Sequence, residues 1–232
     1  MVPLETDLPR LVLIFVVGLF LTIMFLFISY KILTRHRDRL TLTLSAFYIT
    51  EALGFLTNVI YILLRINPLV FILLFITYFL VVFGFIFIVI FLLNLVKMYI
   101  KLRIQLIIIF TYALSIFSVL SIPGGITINE NTNWTPIYSW TLVLGVSILI
   151  SSFISIPTII LSIKVYKIFE DENLRRKLKY FLIGIFGMII ISYGALFNMA
   201  LNDPNFSLLW SIISLLVVPS GIMIYYGIGH SI

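Results

Sequence analysis

Residues 68–96 read PLVFILLFITYFLVVFGFIFIVIFLLNLV, an apolar run without one Asp, Glu, Lys or Arg, and Lys97, Lys101 and Arg103 follow close behind it. A helix needs about 20 such residues to cross the hydrocarbon core of a bilayer, so this run spans and the cations mark where it emerges. The same alternation governs the rest of the chain. Of its 15 lysines and arginines, all but Arg10 and Arg65 fall at 31–39, 97–103 and 164–179, with further long apolar stretches between. Basic residues collect in the cytoplasmic loops of membrane proteins, so the three clusters read as the alternate, inner loops of one polytopic chain.

Composition agrees. With 62% hydrophobic and 10% charged residues among 232, and a mean hydropathy of +1.23, the chain has too little polar surface to cover a soluble domain. A net charge of +6 might point to nucleic acid, but such a face gathers its cations on one soluble element, whereas here they sit at helix ends. Their implied partner is the anionic headgroup layer at the inner face of the cell membrane, and no nucleic acid. The absence of cysteine excludes disulfides, thiol chemistry and Cys-based metal sites.

The expected fold is all-α: a single domain over 1–232 with seven transmembrane helices near 11–33, 41–64, 68–96, 104–122, 138–166, 179–201 and 207–228. The N-terminus, with Glu5 and Asp7 ahead of Lys31, Arg35, Arg37 and Arg39, is placed outside and the C-terminus inside. It lacks the positive start and cleavage site of a signal peptide. Asn67-Pro68 and Asn202-Asp203-Pro204-Asn205 form tight outer turns, and Pro123-Gly124-Gly125 through Pro136 the one sizeable outer loop. Tyr30-Lys31-Ile32 recurs as Tyr166-Lys167-Ile168, and the same offset carries Asn67-Pro68 onto Asp203-Pro204. That offset predicts a 3+1+3 parallel internal repeat, in which helices 1–3 and 5–7 are copies joined by helix 4.

Three helices carry small or polar arcs. These are Ser147, Ser151, Ser155, Thr158 and Ser162 on the fifth, Gly184, Gly187, Gly194, Ala195 and Asn198 on the sixth, and Ser207, Ser211, Ser214 and Gly221 on the seventh. Small residues let helix backbones approach closely in lipid; the alternative is that the arcs line a solute path, with Pro157 and Pro219 as bend points.

One acid stands alone at mid-membrane. Glu51 lies near the centre of the second helix, Asn58 is about 20° away around it, and Tyr48 and Tyr61 flank that face. A charged carboxylate there costs several kcal/mol, so Glu51 is expected as the neutral acid, bonded to an amide or hydroxyl of a neighbouring helix. Two roles stay open for the cluster Glu51, Asn58, Tyr48 and Tyr61: a structural hydrogen bond, or ligand binding and proton coupling. No catalytic, metal or cofactor residues are expected. His36 and His230 lie in a loop and at the chain end, no second membrane carboxylate accompanies Glu51, and helix 7 has no lysine for a Schiff base. Asn133-Trp134-Thr135 is a glycosylation sequon facing outside, with Asn133 as the candidate acceptor.

From Asn129 to Ile228 the chain combines an outer loop with Trp134, Tyr138 and Trp140, a fifth helix ending in Lys164-Val165-Tyr166-Lys167, and the basic run Arg175 to Lys179. A glycine-rich sixth helix and a seventh ending in Tyr225-Tyr226 complete it. This layout resembles the seven-helix sensor region at the N-terminus of some prokaryotic membrane histidine kinases. The resemblance implies stimulus sensing by the bundle and signal transduction through helix 7. The 232 residues hold no kinase domain, so it implies a separate cytoplasmic partner, or a sequence that is a fragment. The alternatives are a small-solute transporter of the SWEET type, favoured by the repeat but lacking internal prolines in helices 1, 2 and 6, and a non-catalytic accessory subunit.

Overall fold

The computed structural model describes residues 13–35, 37–64, 66–97, 100–132 and 134–229. Asn133 lies outside them, as do both histidines. Seven helices are long and apolar enough to cross a membrane: α1 (Phe15–Arg35), α2 (Arg39–Leu63), α3 (Leu69–Val96), α4 (Leu102–Leu120), α5 (Trp140–Ile168), α6 (Glu172–Leu201) and α7 (Pro204–Gly227). The chain is thus an all-α, multi-pass membrane protein. Its outer surface confirms the solvent it is built for, since Ile23 on α1, Phe110 on α4 and Leu208 on α7 are each more than three-fifths exposed. A belt of such residues is stable only against lipid.

The helix ends follow local capping chemistry. α6 begins seven residues before the expected start at 179, because Asp171 caps it by accepting from the Asn173 backbone N–H at 2.8 Å. The basic run 175–179 is therefore its second turn, not a loop. α7 starts at Pro204, three residues from the expected 207, where Asp203 accepts from the Phe206 N–H at 2.7 Å and proline suits the first helical position. Hydropathy alone misses the start of α6 because a capped polar turn looks like a loop.

Three helices are not continuous α. α1 opens in a π-helical turn, Leu13–Val17. A π-helical stretch, Ile150–Ser155, interrupts α5 between Trp140–Leu149 and Ile156–Ile168. α7 breaks at Leu215 and Leu216 and ends in a further π-helical turn, Tyr225–Gly229. In the outer loop, Gly124 takes a left-handed backbone (φ +70°) that glycine tolerates without strain. The loop then folds back as a small antiparallel ribbon, with β1 (Ile126–Thr127) paired to β2 (Ile137–Tyr138). Tyr138 packs edge-on against Tyr78 of α3, which seats the ribbon on the bundle.

Helix α3 is the most deeply buried of the seven and α4 the least. α1, α2 and α3 pack consecutively and closely. At their interfaces Gly18 faces Val59, Gly54 faces Val81, and the Thr77 hydroxyl donates to that of Thr57 at 3.0 Å. The second half matches this only in part. α6 and α7 pack as extensively as a repeat requires, but α5 leans on α3 and meets α6 over a small area, so the order of packing in helices 1–3 is not reproduced.

The basic clusters gather at one end. The Arg39 guanidinium donates to the Ile100 carbonyl at 3.2 Å, joining the first cluster to the second. Phe91 of α3 meets Phe181 of α6 at 5.4 Å, which brings the third alongside. The glycine arc of α6 faces α7 as the packing reading requires. A Cβ on Gly184 would stand 2.6 Å from the Ser220 carbonyl oxygen and 2.9 Å from the Ile224 nitrogen, and Gly194 lies directly against the Trp210 ring.

Two outcomes follow. In the cysteine-free background, Thr34→Cys, Leu102→Cys and Asn173→Cys should react with a membrane-impermeant thiol reagent from one side of the bilayer only, and Asn131→Cys from the other. Gly184→Ala should lower the melting temperature in detergent, at a cost of roughly 1–3 kcal/mol, because two of the three atoms it meets are backbone and cannot turn aside. Unchanged melting would mean that α6 and α7 part freely there.

Candidate functional site

Glu51 is the one acidic side chain buried within α2 among the described residues. It is completely buried (0% exposed), and neither carboxyl oxygen has a hydrogen-bond partner among the described residues. The amide or hydroxyl partner expected from the sequence is therefore not there. The carboxyl instead abuts the bare backbone of α3, where a Cβ on Gly84 would stand 2.8 Å from Oε1. Glycine at 84 is what makes room for the acid. An unsatisfied buried polar group costs about 1–3 kcal/mol even when neutral, so this arrangement lies above what the same helices would reach with leucine at 51.

Two tyrosine hydroxyls tie further helices together, Tyr112 on α4 and Tyr193 on α6. Tyr112 donates to the Val82 carbonyl of α3 at 3.1 Å, two residues from Gly84. Tyr193 is the hub of the next group. Its hydroxyl bonds to that of Ser151 at 2.6 Å, lies 3.5 Å from that of Ser155, and donates to the Ser147 carbonyl at 3.4 Å. Ser147 precedes the π-helical stretch of α5 and Ser151 and Ser155 lie within it, and such stretches occur often at functional sites. Phe153 within it packs on the Tyr112 ring at 5.3 Å.

The residues singled out from the sequence are thereby separated. Tyr48, one turn inward of Glu51, donates to the Gly221 carbonyl of α7 at 2.8 Å. Asn58 lies half-buried, two turns outward. Tyr61, about 15 Å along the helix from Glu51, packs in a separate outer cluster with Ile62, Val70, Leu74 and Ile128. Tyr112 and Tyr193 were missed, because a tyrosine in an apolar run carries no signal until its neighbours are known. The serine arc of α5 was seen, but it divides: Ser147, Ser151 and Ser155 are half-buried near Tyr193, while Thr158 and Ser162 are buried without partners for their hydroxyls among the described residues. Nearer the inner end, the Gln105 amide donates to Asn94 Oδ1 at 2.8 Å, tying α4 to α3.

Comparison with protein-family models, curated proteins and solved structures finds no match for this chain.

If Gly84 makes room for Glu51, Gly84→Ala should destabilise the parent by about 1–3 kcal/mol yet have little effect beside Glu51→Ala. A double-mutant cycle of melting temperatures measures this coupling. Strict additivity would show that the two residues do not constrain each other.

Proposed function

We propose that this chain is a non-catalytic seven-helix sensor module of the cell membrane, in which α2 holds the switching element and α7 delivers the signal to a separate cytoplasmic partner. The observation that carries this reading is the bond from the Tyr48 hydroxyl to the Gly221 carbonyl, made one helical turn from the unpartnered acid. Gly221 also accepts from the Tyr225 N–H, at the point where α7 widens into its terminal π turn. A side-chain donor on a helix carbonyl draws that carbonyl outward and loosens the ladder. Any movement of α2 that settles Glu51 therefore changes the geometry of α7 at its inner end. The basic inner face supplies the attraction to anionic headgroups that holds such a module in register.

A second reading, small-solute transport of the SWEET type, draws on Thr158 and Ser162, whose hydroxyls line α5 without partners. The unequal packing of the two halves weighs against it, since alternating access in repeat-built transporters moves one repeat against its counterpart.

Spin labels at Leu42→Cys and Tyr226→Cys report the separation of α2 and α7 near their inner ends. Tyr48→Phe and Glu51→Gln should each move that distance by roughly 2 Å, the size of helix shifts in known switches, while the protein stays folded. Identical distance distributions in all three proteins would reduce the α2–α7 bond to packing and remove the basis for signalling.

A further inference from the structure

α4 is the helix least covered by the rest of the bundle, and its free side is not smooth. A groove of about 490 Å³ runs along it from Arg103 past Leu106, Ile107, Phe110 and Thr111 to Ala113. These residues all belong to α4, so the groove opens to lipid along its length. From Arg103 to Ala113 is about 15 Å, half of a hydrocarbon core about 30 Å thick. The groove therefore covers one leaflet, with its polar end at the headgroups and its apolar end near the midplane. Its mouth is cationic. Lys101 and Arg103 are both exposed, and neither side chain has an ion pair or hydrogen bond among the described residues. The Arg39 guanidinium of α2 is brought to the same turn by its bond to the Ile100 carbonyl. No carboxylate answers these cations from nearby in the sequence, since the chain has neither Asp nor Glu between Glu51 and Glu130. Asp38, next to Arg39, accepts from the Thr41 N–H as the cap of α2.

We propose that α4 holds one anionic glycerophospholipid from the leaflet at the basic end of the bundle, with its phosphate on Arg103 and an acyl chain lying in the groove as far as Ala113. The two ends of the groove define the chemistry of the occupant. A guanidinium presents its N–H groups in a fork that matches phosphate oxygens, and beyond it every lining residue except Thr111 is apolar, as an acyl chain requires. A soluble anion would leave that apolar length unused. Headgroup charge then decides between lipids. Phosphatidylethanolamine would carry its ammonium in among Arg39, Lys101 and Arg103, where like charges repel, whereas phosphatidylglycerol brings the negative charge alone. Basic sites at the ends of membrane spans hold anionic headgroups in this way. Bound there, the lipid supplies the counter-charge that this part of the chain lacks and fills the face of α4 that no other helix covers. The site is built by α4 and its flanking cations and does not rest on the sensor reading.

Native mass spectrometry of the whole chain released from detergent tests this, with phosphatidylglycerol and phosphatidylethanolamine as probes. The parent should retain one phosphatidylglycerol at lipid concentrations where it retains no phosphatidylethanolamine. Arg103→Ala should weaken that retention about tenfold or more, the size of a lost hydrogen bond to a charged group. Ala113→Phe should do the same by filling the groove. Should Ala113→Phe lower the melting temperature in the absence of lipid, Thr111→Trp, at an exposed position of the same groove, takes its place. Lys164→Ala removes the same charge from an exposed position at the basic end of α5 and should leave retention as it is. Equal weakening by Lys164→Ala and Arg103→Ala would reduce the effect to diffuse attraction by the basic face and overturn the proposal. So would full retention in the groove variant, which would leave a headgroup contact without a chain site, or retention of inorganic phosphate as tight as that of the lipid.

Discussion

In hydrocarbon there is no hydrophobic force to press one helix against another, since lipid tails cover an apolar face as well as leucine does. The bundle depends instead on how closely backbones can approach. Gly18, Gly54 and Gly84 set that distance among α1, α2 and α3, and Gly184, Gly187 and Gly194 set it between α6 and α7. α4 has no glycine along its length and is the helix least covered by its neighbours. Placement of glycine thus fixes how closely these neighbouring helices approach.

A second requirement, that polar groups find partners within the protein, is met mostly at short range. Thr34, Thr43, Thr50, Ser115, Ser118 and Ser211 return their hydroxyls to carbonyls three or four residues back, and such groups say nothing about tertiary structure. The hydroxyls that bond between helices are fewer and more informative, among them Tyr48 to α7, Thr77 to α2, Tyr112 to α3 and Tyr193 to α5. Tyr48 stands one turn from Glu51 on α2, and Tyr112 meets α3 at Val82, two residues from the Gly84 that faces the acid.

The seven spans and the gathering of their charges were legible in the sequence, because hydropathy and Lys/Arg placement act on whole segments and do not depend on partners. The glycine face of α6 was legible for the same reason, as a pattern within one helix. What could not be read was pairing. Glu51 announced itself as a lone acid, yet that it would lie against Gly84 depends on how α2 and α3 are set relative to each other. The start of α6 at Glu172 was missed although Asp171 is a recognisable cap, since hydropathy outweighed it. The packing of α5 on α3 in preference to α6 is a tertiary choice that an internal offset of residues does not encode.

The π-helical stretch of α5 sets the pitch at which this helix meets the rest. Buried positions recur every four residues through it, at Val146, Ile150, Ile154 and Thr158, because the wide turn holds one residue more than α geometry needs. Each residue of an α-helix turns it by about 100°, so loss of that extra residue would rotate everything inward of Ser155 and carry Thr158 and Ser162 away from α3, leaving the Tyr193 face as it is. A single-codon deletion could therefore re-face the inner half of α5 on its own, a route by which related chains could acquire a different interior without altering their outer half.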